Sequence, residues 1–416
     1  MKKIFSVTAF SALLTLTRMG SGFLISKVVA LYIGPYGLAM LGQLQNLVSL
    51  VTGLVNSPVA TGAVRYTSEN YEYGYEKCKP WWRAISLWAA LFCLVSFLFL
   101  LAFNSYISKL IWKTEEYKSV IYALAFFLPF SSIGVFITSI INGHQDYKRY
   151  ISYGLISVGV STVFMCLMIY NFRLIGAFYA AAIQLGMMGC LLILLTLKQP
   201  WCKITYFFGK IESVHLKKVF NYVLISVVGA ISLPLTLILI RNFIVNHNGW
   251  VQAGYWQAVW KISEVYLAIF TTALSTYALP RLAKLHEIKE IQKEILQLAK
   301  FLCPAVILAA LVILVSRDYI ITFLFTEQFM PAKQLFPVQL IGDFFKIISW
   351  LFAYPVIAKG YIKTYLILEA VFAIVFIMTG YICINVFGLI GATYAYCISY
   401  IIYFLLAAFN IKYIMK

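Results

Sequence analysis

Apolar runs recur along this chain at a length that a lipid bilayer demands. A spanning helix needs roughly 20 predominantly apolar residues. Runs of that kind, bounded by charges or turn residues, are expected at 5–33, 37–66, 84–106, 118–142, 150–171, 174–197, 219–245, 250–280, 299–316, 332–358, 364–386 and 389–411. Twelve such helices account for almost all of the 416 residues. Only 12% of the residues are charged, about half the share of a soluble domain. An all-α polytopic membrane protein fits this pattern. An ordinary soluble enzyme, a disordered chain and a secreted disulfide scaffold do not. The first run follows Met1, Lys2 and Lys3 as a signal peptide would, but it passes Arg18 and continues through Leu31 without a small-residue cleavage site. It is therefore expected to be an uncleaved first span.

The net charge of +18 comes from 33 basic and 15 acidic residues. In a chain of spans this excess is read against the bilayer and not against nucleic acid. With the N-terminus in the cytoplasm and strict alternation, 21 basic residues fall on the cytoplasmic side, six on the other side and six inside spans. Both termini are thus expected to be cytoplasmic. A basic segment, 199–218, is expected to link an N-terminal lobe, 1–198, to a C-terminal lobe, 219–416. Within the second lobe, about 281–298 carries apolar residues at helical spacing with Lys and Glu between them, which predicts an amphipathic helix on the membrane surface. The eight cysteines and four histidines form no CxxC pair and no cluster, so no metal is expected. No phosphate-binding glycine loop or nucleophile elbow occurs, and no loop could house a catalytic domain, so no enzyme activity is expected.

The halves of the chain are related. Residues 172–180 (FRLIGAFYA) match 387–395 (FGLIGATYA) at seven of nine positions, 215 residues apart. Lys148 and Tyr150 match Lys363 and Tyr365 at the same offset, while Lys27, Ala39 and Gln43 match Arg241, Ala253 and Gln257 at 214. A consistent offset is the signature of an internal repeat. Six spans per half make it a parallel repeat, so the expected fold is two pseudo-symmetric six-helix lobes around a central cationic cavity. Gly20 and Gly22 in the first helix of one half correspond in depth to Pro234 in the other. Interruptions at matched positions point to a hinge and a binding site, although Gly and Pro are also common in spanning helices for other reasons.

Six cations (Arg18, Lys27, Arg65, Arg241, Lys261 and Lys346) and three acids (Glu264, Asp343 and Glu369) fall inside spans. Each costs roughly 2.5–3.5 kcal/mol at the bilayer centre on insertion scales, so each must line water, pair or snorkel. Arg65, Lys27 and Arg241 lie near helix ends, where snorkelling competes. Arg18 lies near mid-span. Asp343 and Lys346, like Lys261 and Glu264, are three apart on one helical face. They read either as structural ion pairs or as coupling acids beside substrate-binding lysines. Even fully paired, the acids leave cations over, which favours an anionic substrate such as a pyrophosphate. Gln43, Gln257 and Trp256 offer amides and a flat ring that could contact sugar, or simply pack helices. Trp81, Trp82, Trp112 and Trp201 read as interfacial belt residues.

These residues resemble a known family. Arg18–Gly22 with Lys27, Gly34–Gly37, Gly254–Gln257, Ile262–Glu264 with Tyr266, Leu279–Pro280, Gln339–Asp343 with Lys346, and Ala358–Lys359 are similar to stretches of the Wzx-type O-antigen flippases. These belong to the multidrug/oligosaccharidyl-lipid/polysaccharide (MOP) exporter superfamily, and the likeness is strongest to the branch that serves enterobacterial common antigen. The resemblance implies a flippase in the bacterial inner membrane. Its substrate would be an undecaprenyl-pyrophosphate-linked O-antigen repeat unit, carried to the periplasmic leaflet by alternating access. It implies no cofactor, with a proton or sodium ion as candidate coupling ion. Membrane lipids and, as protein partners, the O-antigen polymerase and chain-length machinery follow from the same resemblance. Arg18, Lys27, Arg241, Asp343 and Lys346 occupy motif positions, whereas Lys261 departs from the pattern. Two other readings stay open. A cation-coupled multidrug exporter of the same superfamily would want a carboxylate in the first helix, which holds only cations. A glycan polymerase or ligase would want a large outer loop.

Overall fold

The computed structural model describes residues 2–285 and 287–414. Among them the fold is all-α, with no strand. The helices are α1 (Lys2–Tyr32), α2 (Gly34–Asn70), α3 (Tyr75–Ala102), α4 (Asn104–Trp112), α5 (Lys118–Gly143), α6 (Tyr147–Thr196) and α7 (Ile204–Phe207). They continue as α8 (Ser213–Ala273), α9 (Leu279–Lys284), α10 (Ile288–Leu324), α11 (Phe336–Ala358), α12 (Ile362–Phe387) and α13 (Leu389–Ile414).

Ten helical stretches among the described residues are long and apolar enough to cross a membrane. Two of them hold a second pass. α6 has 50 residues and α8 has 61; straight, they would run about 75 and 90 Å, against about 30 Å of hydrocarbon. α6 breaks at Arg173 (φ 54°, ψ −130°). Beyond the break Gly176 lies against the carbonyl of Met168, eight residues back, a contact that only a reversal of direction allows. α8 breaks at Gly249 (φ 86°, ψ 171°). Arg241 and Gln257, each eight residues from that glycine, then meet side by side. The two expected pairs of spans are therefore present, each joined by one residue of non-helical backbone.

The repeat is written into the backbone. Left-handed residues recur 215 positions apart: Gly34 and Gly249 (φ 80° and 86°), Gln145 and Gly360 (57° and 73°), Arg173 and Gly388 (54° and 62°). The turn from α5 to α6 is closed by amides of His144, Gln145 and Asp146 donating to carbonyls of Ile140, Asn142 and Ile141. Lys359, Gly360 and Tyr361 donate to Pro355, Ile357 and Val356 in the same pattern between α11 and α12. The backbone bonds match residue for residue where the side chains do not.

The chain forms two compact units, one of residues 1–32 and 43–235, the other of 33–42 and 236–416. The first packs Trp82, Ile85, Phe136 and Ile140 into its core, with Val219 and Val223 from the start of α8. The second packs Leu267, Leu274, Ile291, Ile347 and Leu351.

Several local expectations are corrected. α1 runs unbroken through Gly20 and Gly22, and α8 runs unbroken through Pro234. The amphipathic helix expected over 281–298 is instead two pieces: α9 ends at Lys284, and the chain restarts at Ile288 as the first turns of α10. Lys359 donates to the carbonyls of Ala283 and Leu285, satisfying the exposed end of α9 as a cation can. Arg281 spans the break to Glu294 at 2.9 Å. Trp82, Trp112 and Trp201 are buried in protein rather than belted at an interface. Arg65 pairs with Glu69 at 2.8 Å near the end of α2.

Arg173 holds a conformation that its repeat partner meets with glycine, and that L-residues adopt only under strain, at a cost of about 1–3 kcal/mol. Its guanidinium lies over the Tyr32 ring at 4.6 Å, a contact worth about 0.5–1 kcal/mol where exposed. Arg173→Gly is therefore expected to raise the melting temperature of the purified protein, and Arg173→Ala to lower it. A fall with glycine as large as that with alanine would show that the turn is unstrained.

Candidate functional site

The polar residues that burial makes most demanding lie in the second unit. Arg241 is carried by the first pass of α8, Trp256 and Gln257 by the second, and the Gly249 turn sets them level. At eight residues from the turn, Arg241 lies about 12 Å down its helix, too deep for a short snorkel. It is 1% exposed. Its guanidinium donates to Gln257 Oε1 and lies 5.4 Å from the centre of the Trp256 ring. Gly42 of α2 closes against this group, since a Cβ there would stand 2.7 Å from the Gln257 carboxamide.

One turn further along α8, Trp260 packs against Trp256 at 5.4 Å and edge-on to Tyr396 of α13 at 5.3 Å. Lys346 of α11 reaches over this layer. Its ammonium sits 5.7 Å from the ring of Trp260, 5.9 Å from Trp350 and 5.6 Å from Tyr400. A desolvated contact of this kind is worth about 2 kcal/mol. Of the two readings of Asp343 and Lys346, the direct ion pair is not formed among the described residues. Asp343 is fully buried and accepts from Ser263 and Tyr266 at 2.7 Å and from Tyr396 at 2.8 Å, with Gln339 farther off at 3.4 Å. Hydroxyls can approach a buried carboxyl group closely without carrying a second charge into the membrane, and hydrogen bonds to a charged group are worth about 1.5–3 kcal/mol each. Glu369 of α12 is held similarly, accepting from Tyr403 at 3.1 Å.

The other candidates are dispersed. Lys261 and Glu264 do pair, at 3.7 Å, with the glutamate largely exposed. Arg18, Lys27, Gln43, Gly20, Gly22 and Pro234 belong to the first unit. There Arg18 is exposed, Lys27 half-buried and Gln43 buried. Ser263, Tyr396, Tyr400, Tyr403 and Trp350 were not singled out from the sequence. The last three tyrosines recur at i, i+4 and i+7 on α13, one face of a helix, so the stripe was readable.

The internal repeat provides a control. At 215 positions back, Asp343, Lys346, Glu369, Tyr396, Tyr400 and Tyr403 correspond to Leu128, Ser131, Gly154, Ala181, Leu185 and Met188. The first half builds the same turns with apolar or small residues at these positions. The cluster is therefore not a requirement of the scaffold.

No protein-family model matches the chain. In sequence it is similar to the lipid III flippases of Escherichia coli K12 and Shigella flexneri, 24% identical to each over 399 residues, 95% of this chain and of each relative. Its structure is similar to the lipid II flippase MurJ in an inward closed conformation (TM-score 0.74, 17% identity, 98% of this chain and 87% of that one). It is also similar to an inward-facing multidrug resistance MATE transporter of the MOP superfamily (TM-score 0.70, 16% identity, 96% and 94%). The chain has the MOP-superfamily transporter fold. A further MOP-superfamily transporter of this fold, from Pyrococcus furiosus, matches at TM-score 0.67 and 16% identity over 99% of this chain and 96% of that one. The resemblance to oligosaccharide-lipid flippases read from short motifs thus extends over nearly the whole length.

The hydroxyl cage makes a stability prediction. Tyr396→Phe should destabilise the protein by about 1.5–3 kcal/mol, the worth of one bond to a charged acceptor. Asp343→Asn, which keeps an acceptor oxygen, should cost less than Asp343→Ala, which leaves three hydroxyls without one. Thermal unfolding in detergent checks both. Equal losses for Asn and Ala would mean that the hydroxyls do not depend on the carboxyl group.

Proposed function

We propose that this chain is a flippase for a polyprenyl-pyrophosphate-linked oligosaccharide, moving an undecaprenyl-pyrophosphate-linked O-antigen repeat unit from the cytoplasmic to the periplasmic leaflet of the bacterial inner membrane by alternating access. The observation that carries this reading is the buried Arg241 and the half-buried Lys346, bordered by tryptophan and tyrosine faces, with no carboxylate in ion-pair contact with Lys346 among the described residues. A guanidinium can grip pyrophosphate oxygens bidentately, an ammonium holds them as a point charge, and flat rings beside them suit sugar faces. Similarity to lipid III flippases along the whole chain supports the same class of cargo. A cationic drug would meet like charge here.

On this reading Arg18, Lys27, Lys261, Gln43, Trp256 and Gln257 add substrate contacts, and a proton or sodium ion acting through Glu264 or Asp343 supplies the drive. Pro234, which removes an amide from the helix interior, stands two residues before the point where α8 passes from one compact unit to the other. This is where a hinge would bend the chain. Gly20 and Gly22 would serve as its partner in α1.

Complementation decides the cargo. The wild-type gene is placed in one strain lacking its O-antigen flippase and another lacking its lipid III flippase, and surface glycan is measured in both. Recovery in the first is expected, at least tenfold weaker with Arg241→Ala and intermediate with Arg241→Lys, because losing about 1.5–3 kcal/mol of charge-assisted bonding is roughly a factor of ten or more. Recovery in the second alone would move the cargo to lipid III. Recovery in neither, with the protein present in the membrane, would overturn the reading.

A further inference from the structure

The basic segment between the sixth and seventh spans is not a slack tether. Four residues near the start of α3 fasten it. Arg83 donates to the carbonyls of Thr205 at 2.8 Å and Lys210 at 3.2 Å. The Trp82 ring stacks on Phe207 at 5.5 Å, Trp81 meets His215 edge-on at 4.5 Å, and Trp88 donates to the Leu216 carbonyl at 3.2 Å. Gly209 (φ 142°) lets the backbone pass this close, since a Cβ there would stand 2.5 Å from the guanidinium.

Fixing Phe207 inward turns its neighbours outward. Ile204, which opens α7, and Phe208, which follows its last residue in extended backbone, are 76% and 65% exposed. Lys203, Lys210 and Lys217 are exposed around them, and none forms an ion pair among the described residues. The acid within the segment, Glu212, lies 3.4 Å from His215. The segment leaves one span at Thr196 and rejoins α8 at Ser213, so both ends keep it at the level of the membrane surface. Two large apolar side chains set among unpaired lysines are what an interface between headgroups and acyl chains accepts, and lysines at that level are drawn to anionic lipid.

We infer that residues 203–217 form a rigid shelf that binds anionic phospholipid of the leaflet on which it rests, with Ile204 and Phe208 inserted and Lys203, Lys210 and Lys217 on the headgroup phosphates. This rests on the chain being a multi-pass membrane protein and is independent of its cargo.

The test uses the full chain, purified in detergent and stripped of lipid, with melting temperature followed as phosphatidylglycerol or phosphatidylcholine is added. For wild type, phosphatidylglycerol should stabilise more than phosphatidylcholine, and the difference should shrink at high salt. The difference should fall by half or more in Ile204→Ser/Phe208→Ser and in Lys203→Gln/Lys210→Gln/Lys217→Gln. It should persist in Lys109→Gln/Lys113→Gln, which removes charge from the segment around α4 instead. Equal stabilisation of wild type by both lipids would overturn the inference, as would a full phosphatidylglycerol effect in both shelf variants. If one shelf variant melts early without lipid, the other, which alters a different chemistry, carries the test.

Discussion

An acid sealed from water and a half-buried base one helical turn away form no ion pair with each other among the described residues. Asp343 is held by Ser263, Tyr266 and Tyr396, and Lys346 by the faces of Trp260, Trp350 and Tyr400. Charge in a low-dielectric interior must be compensated, and here the groups in direct contact with each charge are neutral. The carboxyl group is satisfied and closed. The ammonium is stabilised yet keeps its hydrogen-bonding capacity for another partner. An ion pair between them would remove the property on which the proposed binding of an anion rests.

The duplicated backbone sharpens this point. Identical turns at Gln145 and Gly360, and at Arg173 and Gly388, show one helical plan built twice. Where the second copy carries Asp343, Lys346, Glu369 and the tyrosines, the first carries Leu128, Ser131, Gly154 and small or apolar residues. A plan that can be built without polar groups at these positions does not need them for folding, and the proposed transport role accounts for their desolvation cost. The two halves share a skeleton and differ in the polar groups they bury: Arg241 is sealed, whereas Lys27, its sequence match at an offset of 214, is half-buried.

Much of the architecture was legible because bilayer physics leaves few options. Span length, turn residues at Gly34, Arg173 and Gly388, and the offset between FRLIGAFYA and FGLIGATYA followed from the letters alone. What periodicity could not resolve was partner choice. Asp343 and Lys346 look paired at i, i+3, and only the arrival of α8 and α13 shows that hydroxyls and rings reach them first. Trp81 and Trp82 read as belt residues, and long-range contacts with Phe207 and His215 make them part of a dock. The segment 281–298 has helical spacing throughout, which is silent about the break between Lys284 and Ile288. Gly20, Gly22 and Pro234 signal weak points in a helix, and neighbouring turns kept those helices continuous.

The central claim is that the polar cluster of the second unit serves transport and not folding. The most direct measurement removes it as a set, in the variant Ser263→Ala/Tyr266→Phe/Asp343→Leu/Lys346→Met/Tyr396→Phe. Melting temperature and movement of a lipid-linked oligosaccharide across proteoliposome membranes are compared with wild type. Because the hydroxyls and the carboxyl group are replaced together by apolar groups of similar shape, none of the three short hydrogen bonds leaves an orphan and only the longer 3.4 Å contact of Gln339 is lost; such replacement is often neutral or stabilising. The expected result is a protein that melts at or above the wild-type temperature and moves no substrate. A variant that fails to fold, or one that still transports at the wild-type rate, would contradict it.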